Sequence, residues 1–311
     1  MMRFLQGLLC AFGLISLASA KGPAWKLDSS CQTSDLNDMV TTAVNSAFSM
    51  AVDESDAFNK ILSGGDLGPN KDNILDVVKW MFTKDNEEPN NERLAILRTR
   101  MNLLAKAKDR KDNEDPDGVT VVIYCGFDRF EARADGQWYD KDLDYVFKKD
   151  ESFEACKGAQ PVVAYTEVPK DRKKPSQVQL CPWFLNWMKS KDTKSLKEAE
   201  AKGLFWRAIS KGLSKTHMLL TPIDVTSLLD KVILHELTHT RVGGESVDVD
   251  GPSFLTVRYG WNRCRKLAQE GSSDPSRQAQ VNADSIALCG SAIRYIKEGK
   301  RVKKNGDVED K

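Results

Sequence analysis

The chain has 311 residues, of which 41% are hydrophobic and 29% charged, with 46 Lys and Arg against 45 Asp and Glu. A net charge of +1 and a mean hydropathy of -0.46 describe a globular chain with ample material for a core. They exclude a disordered or fibrous chain and any blanket attraction to nucleic acid or an anionic membrane. Eleven Pro and twenty Gly are too few for a collagen-like or low-complexity tract.

Residues 1–20 differ in kind from the rest. Arg3 supplies a positive start, Phe4 to Leu17 are mostly apolar, and Ala18-Ser19-Ala20 is a small-residue cleavage site. That is the pattern of a secretory signal peptide, and the apolar run is shorter than the ~20 residues a membrane span needs. No later stretch is long and apolar enough to span. The expectation is a secreted, extracellular protein beginning at Lys21, with no membrane partner.

Residues 34–62, 71–84 and 90–108 carry helical apolar spacing, as in Met39, Val40, Ala43, Phe48 and Met50, then Ile74, Val77, Val78 and Met81. A charged segment ending Asp115-Pro116-Asp117-Gly118 reads as a turn or linker. Short strands are then expected at 119–124, 130–133, 162–165 and 178–180, with a hairpin turn at Ala134-Asp135-Gly136. Helical spacing returns at roughly 193–202, 224–242, 254–270 and 275–298. Helices, a small β region and more helices predict an α+β fold.

The expected divisions are a helical region at 21–117, either a propeptide or integral, a catalytic domain at 118–298 and a charged tail at 299–311. The basic runs at Lys170–Lys174 and Lys300–Lys304 suit solvated surface. Trp183, Phe184 and Trp187 suit a core.

Six cysteines follow the signal segment: Cys31, Cys125, Cys156, Cys181, Cys264 and Cys289. An even number in an oxidising compartment predicts three disulfides. The pairing favoured by neighbouring elements is Cys156–Cys181 and Cys264–Cys289, which leaves Cys31–Cys125. No C-x-x-C occurs, which argues against a structural zinc cluster or a thioredoxin-like site.

The chemistry is concentrated in His235-Glu236-Leu237-Thr238-His239, an H-E-x-x-H run preceded by apolar residues that Thr221 or Asp224 can cap. Residues i and i+4 project from one helix face, so the two imidazoles converge on one metal ion. Glu236 turns toward the same cleft and can accept a proton from water activated there. Two histidines leave a tetrahedral zinc one protein ligand short. No histidine follows His239, so a downstream third His is excluded; upstream His217 remains, and the downstream acids are Glu245, Asp248, Asp250, Glu270, Asp274, Asp284 and Glu298.

His235 to Thr240, Ser246-Val247-Asp248, Tyr259-Gly260 and Asn282-Ala283-Asp284-Ser285 together resemble the aspzincin metalloendopeptidases, the family of the fungal deuterolysins and peptidyl-Lys metalloendopeptidases. Leu180 to Phe184 resembles that family's strand before the active helix, so the likeness spans about residues 118–298. The resemblance implies a zincin-like domain and a Zn²⁺ cofactor held by His235, His239 and Asp248, with Asp250 as second choice. It implies Tyr259 as an oxyanion donor, although this Tyr would equally serve as a core aromatic. It gives Asp284 either to a substrate lysine or to support of a ligand histidine. Two departures stand out: Glu245-Ser246 replace the family's Gly-Thr, and ten residues separate Asp248 from Tyr259 where the motif has two.

The expected function is a secreted zinc metalloendopeptidase acting on protein or peptide substrates, with Glu236 as general base. The rival expectation is a secreted binding or effector protein on a zincin scaffold, without turnover.

Overall fold

The computed structural model describes residues 24–108, 120–148, 151–158, 162–189, 221–226, 228–250 and 258–311. The signal segment, the expected helix at 193–202 and His217 lie outside the described residues, as does most of the ten-residue stretch between Asp248 and Tyr259. Among the described residues the architecture is α+β, with nine helices and nine strands.

The amino-terminal helices are α1 (Asn37–Ser63), α2 (Lys71–Phe82) and α3 (Asn91–Lys108). α1 buries Val40, Val44, Ala47, Phe48, Ala51 and Phe58 along one stripe, the 3.6-residue period of its sequence. It stops where Gly64 takes φ +70°, a left-handed cap that glycine adopts without steric cost. α3 starts where the Asn90 side chain accepts from the backbone N–H of Glu92 and Arg93.

The main sheet has the order β1 (Trp25–Leu27), β2 (Val121–Tyr124), β7 (Ser176–Leu180), β6 (Ala164–Glu167). β1, β2 and β7 run parallel, and β6 pairs antiparallel with β7 at the edge. β2 and β7 are buried on both faces; β2 is an unbroken apolar run, whereas β7 (Ser-Gln-Val-Gln-Leu) also buries Ser176, Gln177 and Gln179.

A second sheet, β3 (Phe130–Ala132), β4 (Gln137–Asp140) and β5 (Tyr145–Lys148), is a three-stranded meander. Its rings gather around Phe153 of α4 (Glu151–Lys157). Behind it the buried Arg129 guanidinium bonds Asp140 and Gln179 and lies 3.8 Å over the Tyr124 ring.

After β7 the expectation of a strand through Phe184 fails. Extended chain ends at Leu180, and Pro182 opens α5 (Pro182–Lys189), its fixed φ suiting a first helical turn. Phe184 is fully buried there and Trp183 and Trp187 pack against the core, as expected.

The carboxy-terminal helices are α6 (Pro222–Thr226), α7 (Leu228–His239), α8 (Trp261–Glu270) and α9 (Ala283–Lys297). Two are shorter than expected. α8 cannot begin before Gly260, whose φ of +85° breaks the helix. α9 begins only at Ala283, because Gln278 and Asn282 are extended around two 3-10 turns. The last residues form a hairpin, β8 (Lys300–Val302) with β9 (Val308–Asp310). Val302 and Val308 are buried, and the Lys304 carbonyl accepts from the Trp261 indole N–H.

α1 packs on α3, α7 and α9, and one apolar core joins all three amino-terminal helices to the carboxy-terminal ones. Cys31–Cys125 ties the segment before α1 to the end of β2, and Cys156–Cys181 ties α4 to the end of β7. Residues 24–108 thus contribute to the same core as the carboxy-terminal helices. The third expected bridge is absent: Cys264 and Cys289 are free and buried. Their thiols face different partners, Cys264 toward the Arg258 carbonyl and Cys289 toward Glu54 of α1.

No helix among the described residues is long and apolar enough to cross a membrane.

Candidate metal centre

Side-chain contacts fix the start of α6 and the turn after α7. Thr221 donates its backbone N–H and hydroxyl to Asp224 ahead of α6, and the other Asp224 oxygen accepts from Trp261 N–H at 2.9 Å. After His239, Thr240 turns extended and its hydroxyl accepts from Gly243 N–H. Gly243 is packed so closely that a Cβ there would lie 2.0 Å from the Leu237 carbonyl oxygen, so only glycine fits the turn.

His235 and His239 sit one turn apart with their Nε2 atoms 3.2 Å from each other. Asp248 Oδ1 lies 3.2 Å from the first and 3.4 Å from the second. The three atoms form a nearly equilateral triangle. Ligands about 2.0–2.2 Å from one ion at tetrahedral angles lie roughly 3.3–3.6 Å apart, so the triangle is close in size to one face of a metal tetrahedron. Among the described residues this is the one group of three His, Cys, Asp or Glu able to hold a metal ion.

The outer atoms of each ligand are also held. His239 Nδ1 lies 2.7 Å from the Ser246 carbonyl, which can only accept, so Nδ1 carries the proton and Nε2 presents its lone pair. His235 Nδ1 faces Asp284 Oδ1 at 3.4 Å. Asp248 Oδ2 accepts from the Tyr259 hydroxyl at 2.7 Å. Such partners orient the ligand atoms and fix the ring tautomer.

Asp248 reaches the site through backbone pairing. Val247 N–H donates to the Val281 carbonyl, Ala283 N–H donates to Val247, and Val249 N–H donates to the Asn282 side chain. The insertion begins and ends in contact, because Arg258 N–H donates to the Val249 carbonyl at 3.0 Å. Tyr259 is thereby returned beside Asp248. Asp250 is exposed and stands outside the triangle. Glu270 pairs with Arg258 and Glu298 with Arg294, while Asp274 accepts from Ser276 N–H.

Glu236 is buried, and its Oε2 accepts from the Thr166 hydroxyl of β6 at 2.7 Å. Burial raises its carboxyl above the ordinary range, partly offset by the two imidazoles. Asp248 is held well below that range: burial alone would raise it, but His235 and His239 outweigh burial. His235 is raised to about 10, because Asp248 and Asp284 overcome the opposing effect of burial.

Asp284 is 2% exposed, and both its oxygens are engaged: Oδ1 faces Lys231 Nζ and His235, and Oδ2 accepts from Gly260 N–H at 2.6 Å. Asp284 is thus buried among Lys231, His235 and Gly260. The Tyr259 hydroxyl is likewise engaged, donating to Asp248 Oδ2.

Sequence reasoning missed Thr166, Ser246 and Lys231. Thr166 lies seventy positions from Glu236 and carries no pattern, and Ser246 acts through its carbonyl, which any residue possesses. Lys231 did leave a signal, a lone cation that follows Asp230 and stands before the apolar Val232-Ile233-Leu234, four residues ahead of His235.

No protein-family model matches the chain, and no curated protein matches it. The reading of the site therefore rests on its own chemistry.

Proposed function

We propose that the protein is a secreted zinc-dependent endopeptidase of aspzincin type, cleaving protein or peptide substrates. The single observation that carries this reading is the His235–His239–Asp248 triangle with the buried Glu236 on the same helix turn. The donor set of two imidazoles and one carboxylate suits zinc with one position left for water. The signal-like leader and two disulfides support an extracellular setting.

When bound, zinc would acidify water and polarise the scissile carbonyl. The protein's own groups supply the rest. Glu236 accepts the proton as the water oxygen bonds to the carbonyl carbon. It returns that proton to the departing amine nitrogen as the C–N bond breaks. Thr166 holds one Glu236 oxygen, and burial keeps the carboxylate basic enough to take the proton. β6, the edge strand beside α7, offers an extended substrate a strand to pair with.

The test is cleavage of an unfolded protein by the chain from Lys21 onward, with and without chelator, beside Glu236→Gln. Chelator-sensitive cleavage by the wild type is expected. The variant should hold one zinc and lose about 10²–10⁴-fold in turnover. A variant that cleaves at the wild-type rate overturns the mechanism, and a wild type that binds zinc without turnover supports the binding-protein alternative.

A further inference from the structure

Asp284 touches two separate parts of the metal centre. Its Oδ1 faces the outer nitrogen of His235, and its Oδ2 holds the N–H of Gly260, next in the chain to the Tyr259 that grips Asp248. One carboxylate therefore governs two of the three ligands, one on α7 and one before α8. Its own orientation is set by Lys231, whose ammonium donates to Oδ1 at 3.1 Å. Lys231 is 9% exposed and lies one helical turn before His235, so it rises beside that ring from the same helix.

Removing a lysine from water is unfavourable, and an aliphatic residue would serve a helix core better. Here the ammonium has a specific task. His235 and Lys231 address the same oxygen, so the cation fixes that oxygen where Nδ1–H meets it. This leaves Oδ2 turned to Gly260. Without the cation the carboxyl can rotate away from the imidazole, and both attachments loosen together.

We infer that Lys231 is a positioning residue for the metal centre, acting through Asp284 on His235 and on the Tyr259–Asp248 contact. This rests on reading His235, His239 and Asp248 as a metal site.

The test compares zinc affinity by chelator competition, and the cobalt ligand-field spectrum, for wild type, Lys231→Met and Lys231→Met/Asp284→Asn. The single variant leaves Asp284 buried without its cation and is open to misfolding; the double variant removes both charges and leaves no lone one. Thermal melting reports folding for each. The expected result is a zinc affinity about 10–100-fold weaker in the double variant, with an altered cobalt spectrum and a cooperative melt. The same weakening is expected in Lys231→Met wherever it folds. A folded double variant with wild-type affinity and spectrum overturns the inference, because Lys231 would then be structural only. A wild type that binds neither metal overturns the metal-site reading itself, which separates the two failures.

Discussion

Tyr259 donates its hydroxyl to Asp248 Oδ2 at 2.7 Å, although ten residues lie between them in the chain. The contact survives the insertion because Arg258 N–H closes onto the Val249 carbonyl and brings the two ends together. Oδ1 is left facing both imidazoles. Tyr259→Phe removes the donor while keeping the ring that packs 5.5 Å from His235. The expected result is a folded protein whose zinc affinity falls by about tenfold or more, the usual cost of losing such a partner. Competition against a calibrated chelator measures it.

Glu54 of α1 is wholly buried, with the Cys289 thiol turned toward its carboxyl. Burial pushes its pKa well above the ordinary carboxylate value. The sign follows from proton counts. Above the unfolded pKa of about 4.3 the unfolded chain releases this proton while the folded chain keeps it. Stability therefore falls as pH rises toward the folded value. Glu54→Met, which fits among Met50, Leu234 and Gly290, should raise stability at pH 7 by about 1–3 kcal/mol. The gain should shrink as pH drops toward 4. Denaturant melts at pH 4 and pH 7 check both parts; a gain independent of pH would sink the explanation.

The disulfides differ in the chain they close. Cys31–Cys125 spans 94 residues and Cys156–Cys181 spans 25. Chain entropy predicts losses of about 4.7 and about 3.5 kcal/mol when each pair is replaced by alanine. The larger loss should come from the bridge anchoring β1 and α1 to β2. The chain from Lys21 onward should take up two alkyl groups when unfolded without reductant and none while folded, because Cys264 and Cys289 are buried thiols. Intact mass measurement distinguishes this from a third bridge.

Much of this arrangement was legible in the sequence where a period or a motif carried it. The helices at 37–63, 71–82 and 91–108 follow their apolar spacing closely. His235, Glu236 and His239 are fixed by one helix turn, so their spacing alone states their geometry. Asp248 was legible only through family likeness, since its approach depends on backbone pairing with residues 281–283. β4 and β5 were missed because strands of four residues, half-buried in β4 and exposed at Tyr145 and Val146 in β5, give little periodicity. The Cys264–Cys289 expectation failed because sequence neighbourhood does not report which way a buried thiol points. The neighbours of Asp284, which are Lys231, His235 and Gly260, come from α7 and from the residue before α8, and no sequence pattern places them around it.

The third ligand is tested most directly by treating Asp248 and Asp250 alike. Both are short acidic side chains on the segment entering the insertion, two positions apart, and sequence alone gives each a claim. The structure separates them, because Asp248 Oδ1 completes a triangle with edges of 3.2 to 3.4 Å while Asp250 lies outside it, although both residues are exposed. Asp248→Ala should therefore lose tight zinc binding, since two imidazoles alone leave the tetrahedron short of a protein donor. Asp250→Ala should retain one zinc per chain with affinity unchanged and with stability within about 0.5 kcal/mol, as for other exposed substitutions. Asp248→Asn refines the result, because its amide oxygen can still coordinate but brings no charge, so binding should be intermediate. Metal content after dialysis and titration against a chelator resolve all three. The reverse pattern, zinc kept by Asp248→Ala and lost by Asp250→Ala, would move the ligand into the insertion and leave Tyr259 without its place beside the metal.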